Sequence, residues 1–154
     1  MTPFSTTTAG AHRSPASMKR RPEFLGLLKP VGHTLISFAS AQALEEVIEA
    51  LGVQGFDDSM LTRYTPVDMV SLMDVEIANA GVLAPFGYEL AIAKAHRMQA
   101  LDGCHFLLVY GPDEADVDRI SVVAKDHGAL SAQHYGRFLI QELTGLALGD
   151  APVK

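Results

Sequence analysis

Glu89 and His96 stand seven residues apart in an Ala-rich stretch, with Arg97 beside them and Tyr88 just before. If that stretch is helical, seven residues are two turns, so the carboxylate and the imidazole share a face. Such a pair, or His96 with Tyr88, could move a proton. The same residues read equally well as a polar stripe opposite Leu90. A second group is Arg63-Tyr64 and His134-Tyr135, each placed where a strand is expected to end. Together these four could line a ligand or partner surface. Alternatively, each tyrosine ring covers the apolar edge of the following helix and its hydroxyl finds a backbone partner.

Other chemistry-bearing residues fall short of a motif. His33 and His105 open two apolar strands, and His127 sits where a helix should end, a place that suits a cation. No two histidines share a helix at i, i+4, and no HExxH is present, so no metal site is expected. Asp113, Glu114, Asp116 and Asp118 miss the calcium-loop spacing, because Ala115 and Val117 occupy ligand positions. They are expected to be a solvated helix face. Cys104 is the single cysteine, which excludes an intrachain disulfide. It reads as a small apolar residue at the start of a buried strand. Phosphate loops, nucleophile elbows and Walker lysines are missing. Gly52-Val53-Gln54-Gly55 follows a helix and reads as a terminator. No catalytic residue and no cofactor is assigned.

The elements that must position these groups follow from apolar periodicity. A first strand is expected at about 33–39. Ser40 then caps a helix with the stripe Ala43, Leu44, Val47, Ile48 and Leu51, ended by Gly55. A more polar strand follows at about 59–64. Thr65-Pro66 opens a helix carrying Val67, Val70, Leu72, Met73 and Ile77. A linker near Gly81 leads to Pro85 and a helix to about residue 101, whose inner face is expected to hold Phe86, Leu90, Ala93 and Leu101. An almost wholly apolar strand (104–110) should be buried on both faces. A helix after Pro112-Asp113 turns Val117, Ile120 and Ala124 inward and ends at Gly128. A strand at about 131–135 and a last helix at about 137–146, with Phe138, Leu139, Ile140 and Leu143, complete the chain.

Gly32 and Tyr64 repeat as Gly103 and Tyr135 at one offset of 71 residues, while Gly55 and Gly128 are 73 apart. This predicts an α+β fold built from duplicated βαβ units, a ferredoxin-like four-stranded sheet of order 4-1-3-2 with extra helices between and after the halves. The apolar first and third strands would be central and the polar second and fourth at the edges. Helices on one side would leave the other face to solvent, to a second copy of the chain (which could also pair through an edge strand) or to another protein; alternatively the two connecting helices cover that face and leave a monomer.

The chain of 154 residues fits one domain. Expected boundaries are a disordered basic tail over 1–31, the domain over 32–148 and a frayed end over 149–154. Met18 is as plausible a start as Met1. Net charge is −6; the tail holds five basic residues against Glu23, or +4, which leaves −10 for the remainder. An acidic body argues against nucleic acid as a partner. No apolar run approaches the roughly 18 residues of a membrane helix.

The segment HTLISFASAQALEEVIEALGVQGFDDSML resembles the opening of the small bacterial general-stress (heat-induced stress) protein family. GALSAQHYG resembles the close of the second half in such proteins. The resemblance spans about 32–65 and 103–145. The Ala-rich APFGYELAIAKAHRMQALDG departs from the Gly-rich joint common in that family. The resemblance implies a cytoplasmic, stress-associated protein and brings no catalytic residues with it. The expected function is a non-enzymatic interaction module, with a small-ligand sensor as the alternative and an enzyme using Glu89 and His96 behind both.

Overall fold

The structure is a computed structural model that describes residues 31–83, 87–137 and 139–144, without the side chains of residues 80–89. The expected tail, the frayed end and Phe86 lie outside these residues. The chain order is β1 (His33–Phe38), α1 (Ala41–Val53), a 3-10 turn (Asp58–Met60), β2 (Leu61–Tyr64), α2 (Pro66–Leu83), α3 (Gly87–Leu101), β3 (His105–Tyr110), α4 (Glu114–Asp126), β4 (Ser131–Tyr135) and β5 (Ile140–Glu142). The fold is mixed α+β.

Local signals act where they were expected. Ser40 accepts a hydrogen bond from the Ala43 amide at 3.2 Å and so caps α1. Thr65 and Asp68 form a reciprocal box at the start of α2, each side chain accepting from the other's amide at 3.1 Å. Gly55 adopts φ +95° past the end of α1, in the left-handed region that only glycine enters cheaply.

The five strands form one antiparallel sheet in the order β2-β3-β1-β4-β5. Two expectations fail here. The segment expected as a last helix is the strand β5, and β4 is therefore interior instead of an edge. Leu139, Ile140 and Leu143 suit either period over so short a run. Pairing with β4 decides: Gly136 donates to the Leu139 carbonyl at 3.0 Å to close the turn, and Leu143 donates to Ala132 at 2.8 Å.

Strand alternation divides the sheet into two faces. Ile36, Phe38, Leu61, Leu107, Val109 and Ala132 pack with Leu44, Val47 and Leu51 of α1 and with Val117, Ile120, Val123 and Ala124 of α4. Leu35, Tyr64, Phe106, Leu108 and Tyr135 pack with Met69 and Met73 of α2 and Ala100 of α3. The molecule is thus three layers, and the second face is covered by α2 and α3. An open face was the ground for expecting a partner there, and that ground is gone.

The inner face of α3 also differs from expectation. Ile92, His96 and Ala100 are buried at i, i+4 and i+8, whereas Leu101 is 55% exposed. In α2, Met69 and Met73 are buried and Val67 faces solvent. Both helices are rich in small and apolar residues all round, so periodicity does not single out the stripe that meets the sheet.

Candidate functional site

The strand β4, Ser131-Ala132-Gln133-His134-Tyr135, is buried along its whole length although four of its five residues are polar. Such a strand must find partners for each polar group. Register puts Ala132 and His134 on the face toward α1 and α4, and Ser131, Gln133 and Tyr135 on the face toward α2 and α3.

On the first face, Thr34 Oγ1 and His134 Nδ1 are 3.0 Å apart across the β1–β4 pair. Thr34 is fully buried and His134 nearly so. That contact occupies Nδ1 and leaves Nε2 as the ring nitrogen for a neighbour. The His134 pKa is lowered, first by burial and then by the charge of His33, so the ring is neutral at pH 7. His134 lines a hollow of about 290 Å³ with Pro112, Glu114, Val117, Asp118 and Gln141. This is at the small end of ligand sites, which run about 300–1,000 Å³. Glu114 and Asp118 stand one turn apart on α4 and bring two carboxylates to it. Pro112 and Val117 give it an apolar side. Gly111, next to the lining residue Pro112, donates to the Gly32 carbonyl at 2.9 Å. A Cβ at Gly111 would sit 3.0 Å from side-chain atoms of Asp116 and Ile120, a tight contact to which those side chains would have to yield.

On the second face lies a polar seam. Ser37 and Ser131 hydroxyls are 2.5 Å apart. Gln99 of α3 reaches Ser131 at 3.5 Å and faces His96 Nδ1 at 3.5 Å. Gln133 donates through Nε2 to Glu142 at 2.5 Å, and Glu142 also accepts from the Thr144 amide at 3.1 Å. The His96 ring meets Phe106 edge-on, 5.7 Å between centroids. Burial pushes the His96 pKa down to about 4, the Gln99 contact opposing it.

The residues singled out in the sequence are dispersed by this fold. Arg63 and Tyr64 lie on the edge strand β2, separated by two intervening strands from His134 and Tyr135 on β4, and within each pair the side chains take opposite faces. The four do not form a common cleft. Arg63 binds Glu45 at 3.0 Å and Asp58 at 3.2 Å, tying β2 to α1 and the 3-10 turn, and these pairs raise its pKa. Tyr64 and Tyr135 are core rings, and Tyr135 is followed by the strand β5 where a helix was expected. His96 is a buried group in the sheet-facing layer and not part of an exposed stripe. Arg97 turns away to Asp74 of α2 at 2.6 Å, and the Glu89 side chain is outside the described residues. Cys104 is buried, and burial, with Asp102, raises its thiol pKa away from reactivity. His127 stands at the C-cap of α4. Among the described residues no group of three metal-ligating side chains converges, and no helix is long and apolar enough to cross a membrane.

Glu114 and Asp118 were expected only as a solvated face, and Thr34, Gln99, Ser131, Gln133 and Gln141 carried no motif. The available signal was β4 itself, a strand with polar residues on both alternating sets. Comparison of the chain with protein-family models, curated proteins and solved structures finds no match.

Proposed function

We propose that the chain is a non-enzymatic α+β binding module that takes a small organic cation in the hollow between α4 and the β4–β5 hairpin. The observation that carries this is the lining. Two carboxylates, a neutral imidazole presented by Thr34, the Gln141 amide and two apolar side chains surround one small volume. A primary ammonium or guanidinium would pair with Glu114 and Asp118 and, with the ring proton held on Nδ1 toward Thr34, donate to His134 Nε2, while a short alkyl part rests on Pro112 and Val117. Anions are disfavoured by the same carboxylates.

The fold reading behind this proposal is a ferredoxin-like duplication with α2 and α3 inserted between the halves and β5 added at one edge. Its support is the sheet order β2-β3-β1-β4, together with left-handed glycines at Gly55 and Gly128 after equivalent helices. Stress association and a cytoplasmic setting rest on the resemblance of residues 32–65 and 103–145. Self-association, if it occurs, would use an edge strand, since both faces of the sheet carry helices.

Butylamine and butylguanidine, with butanol and butyrate as controls, provide the test by amide chemical-shift mapping. The two cations should shift amides of α4 and β5 saturably, and Asp118→Asn should weaken them at least tenfold. Equal shifts from butanol, or none from either cation at millimolar concentration, sink the proposal.

A further inference from the structure

The hollow lies where the chain enters the fold. Gly32 is held between two segments that supply the lining: its amide donates to the Tyr135 carbonyl at 2.8 Å, and its carbonyl accepts from the Gly111 amide at 2.9 Å. Tyr135 follows His134 and Gly111 precedes Pro112, and His134 and Pro112 both line the hollow. Gly32 takes φ +81° here, and a Cβ on it would stand 3.1 Å from the Pro112 Cβ. The backbone just before β1 therefore passes against the apolar side of the hollow.

The carboxylates of the hollow are not taken by a neighbouring cation. Arg63 is held by Glu45 and Asp58, Arg97 by Asp74, and Arg119 by Asp116, which stands between Glu114 and Asp118 in the chain. Among the described residues no basic side chain pairs with Glu114 or Asp118. The sequence before residue 31 is opposite in charge to the body, and its last basic residue is Lys29. Lys29 is three steps along the chain from Gly32, so their Cα atoms are at most about 11 Å apart. The four-carbon stem of a lysine reaches further still. That stem with its ammonium is the butylammonium group that the hollow suits. Lys19, Arg20 and Arg21 stand eleven or more residues from Gly32, and a longer loop costs more entropy to close.

We infer that the Lys29 ammonium is the built-in occupant of the hollow, held between Glu114 and Asp118 with its stem on Pro112 and Val117, and that the N-terminal segment is thereby an autoinhibitory strap; this deepens, and rests on, the reading of the hollow as a cation site. A free amine or guanidinium then binds by displacing Lys29. A short tether holds the competing ammonium at an effective concentration on the order of millimolar, which lowers the apparent affinity for a free cation. Binding of that cation releases the N-terminal segment.

The test uses the full chain, with butylamine as the probe and the amide chemical shifts of α4 and β5 as the readout. Lys29→Met keeps an unbranched side chain and removes the charge. It should shift these amides without butylamine and tighten butylamine binding by about threefold or more. In an Asp118→Asn background, Lys29→Met should do neither. Two controls separate this contact from general charge: Arg137→Gln, which removes an equal charge from the β4–β5 turn, and the triple variant Lys19→Gln, Arg20→Gln, Arg21→Gln. Both should leave the affinity unchanged. Equal affinity in the natural chain and in Lys29→Met, with Asp118→Asn weakening both, overturns the strap and leaves the hollow open to free cations. Tightening in either control as large as in Lys29→Met overturns it as well. Butylamine binding to neither chain overturns the cation reading itself, and the strap with it.

Discussion

Thr34 Oγ1 and His134 Nδ1 face one another at 3.0 Å between two neighbouring strands, both inside the protein. The contact selects which imidazole nitrogen is left for the hollow. Thr34→Val removes the hydroxyl and keeps the shape, so Nδ1 loses its partner. A loss of about 1–3 kcal/mol is expected in urea unfolding, with a change in the His134 ring nitrogen shifts. Unchanged nitrogen shifts would show that Thr34 does not position the ring.

His96 should make the domain acid-sensitive. Its folded-state pKa of about 4 lies below the ordinary 6.5, so folding favours the neutral ring. The associated stability is fully present above pH 6.5 and is lost as pH falls toward 4. The gap corresponds to an order of 3 kcal/mol at most. Unfolding at pH 7 and near pH 4.5 should therefore differ more for the natural chain than for His96→Phe. Equal differences in the two proteins would mean that His96 is hydrated in the folded state.

The stripe of α3 that meets the sheet can be read from paired alanine substitutions. Ile92→Ala, at a buried position, should cost about 2–5 kcal/mol. Leu101→Ala, at an exposed one, should stay within about 0.5 kcal/mol. Comparable losses in denaturant titration would put the wrong stripe against the sheet.

Hydrogen exchange tests whether β4 is interior. Ala132 accepts from the Leu143 amide, so its backbone groups face β5, and those of His134, two residues on, face the same way. The His134 amide should exchange as slowly as amides of β1. Fast exchange at His134 alone would show that β5 is not paired and that β4 is an edge.

Much of the architecture was legible locally. Ser40, Thr65 with Asp68, and Gly55 act through hydrogen bonds and dihedral preferences that involve only a few neighbouring residues, so both ends of α1 and the start of α2 could be read from the chain. The runs 35–38 and 106–109 are mainly apolar, which made β1 and β3 readable as central strands and β3 as a strand buried on both faces. What tertiary structure alone decided is the fate of residues whose local pattern fits two outcomes. Ile140 and Leu143 suit a helix or a strand, and the open hydrogen bonds of β4 settled it. His96 looked like part of a polar stripe because a helix with apolar and small residues on every side has no marked inner face. Only the packing of α3 against Phe106 turned it inward. The site shares this property: Glu114 and Asp118 on one helix, His134 and Gln141 on two strands, and Thr34 far earlier in the chain have no common spacing. Their proximity is a consequence of strand register and layer packing, which no stretch of sequence expresses by itself.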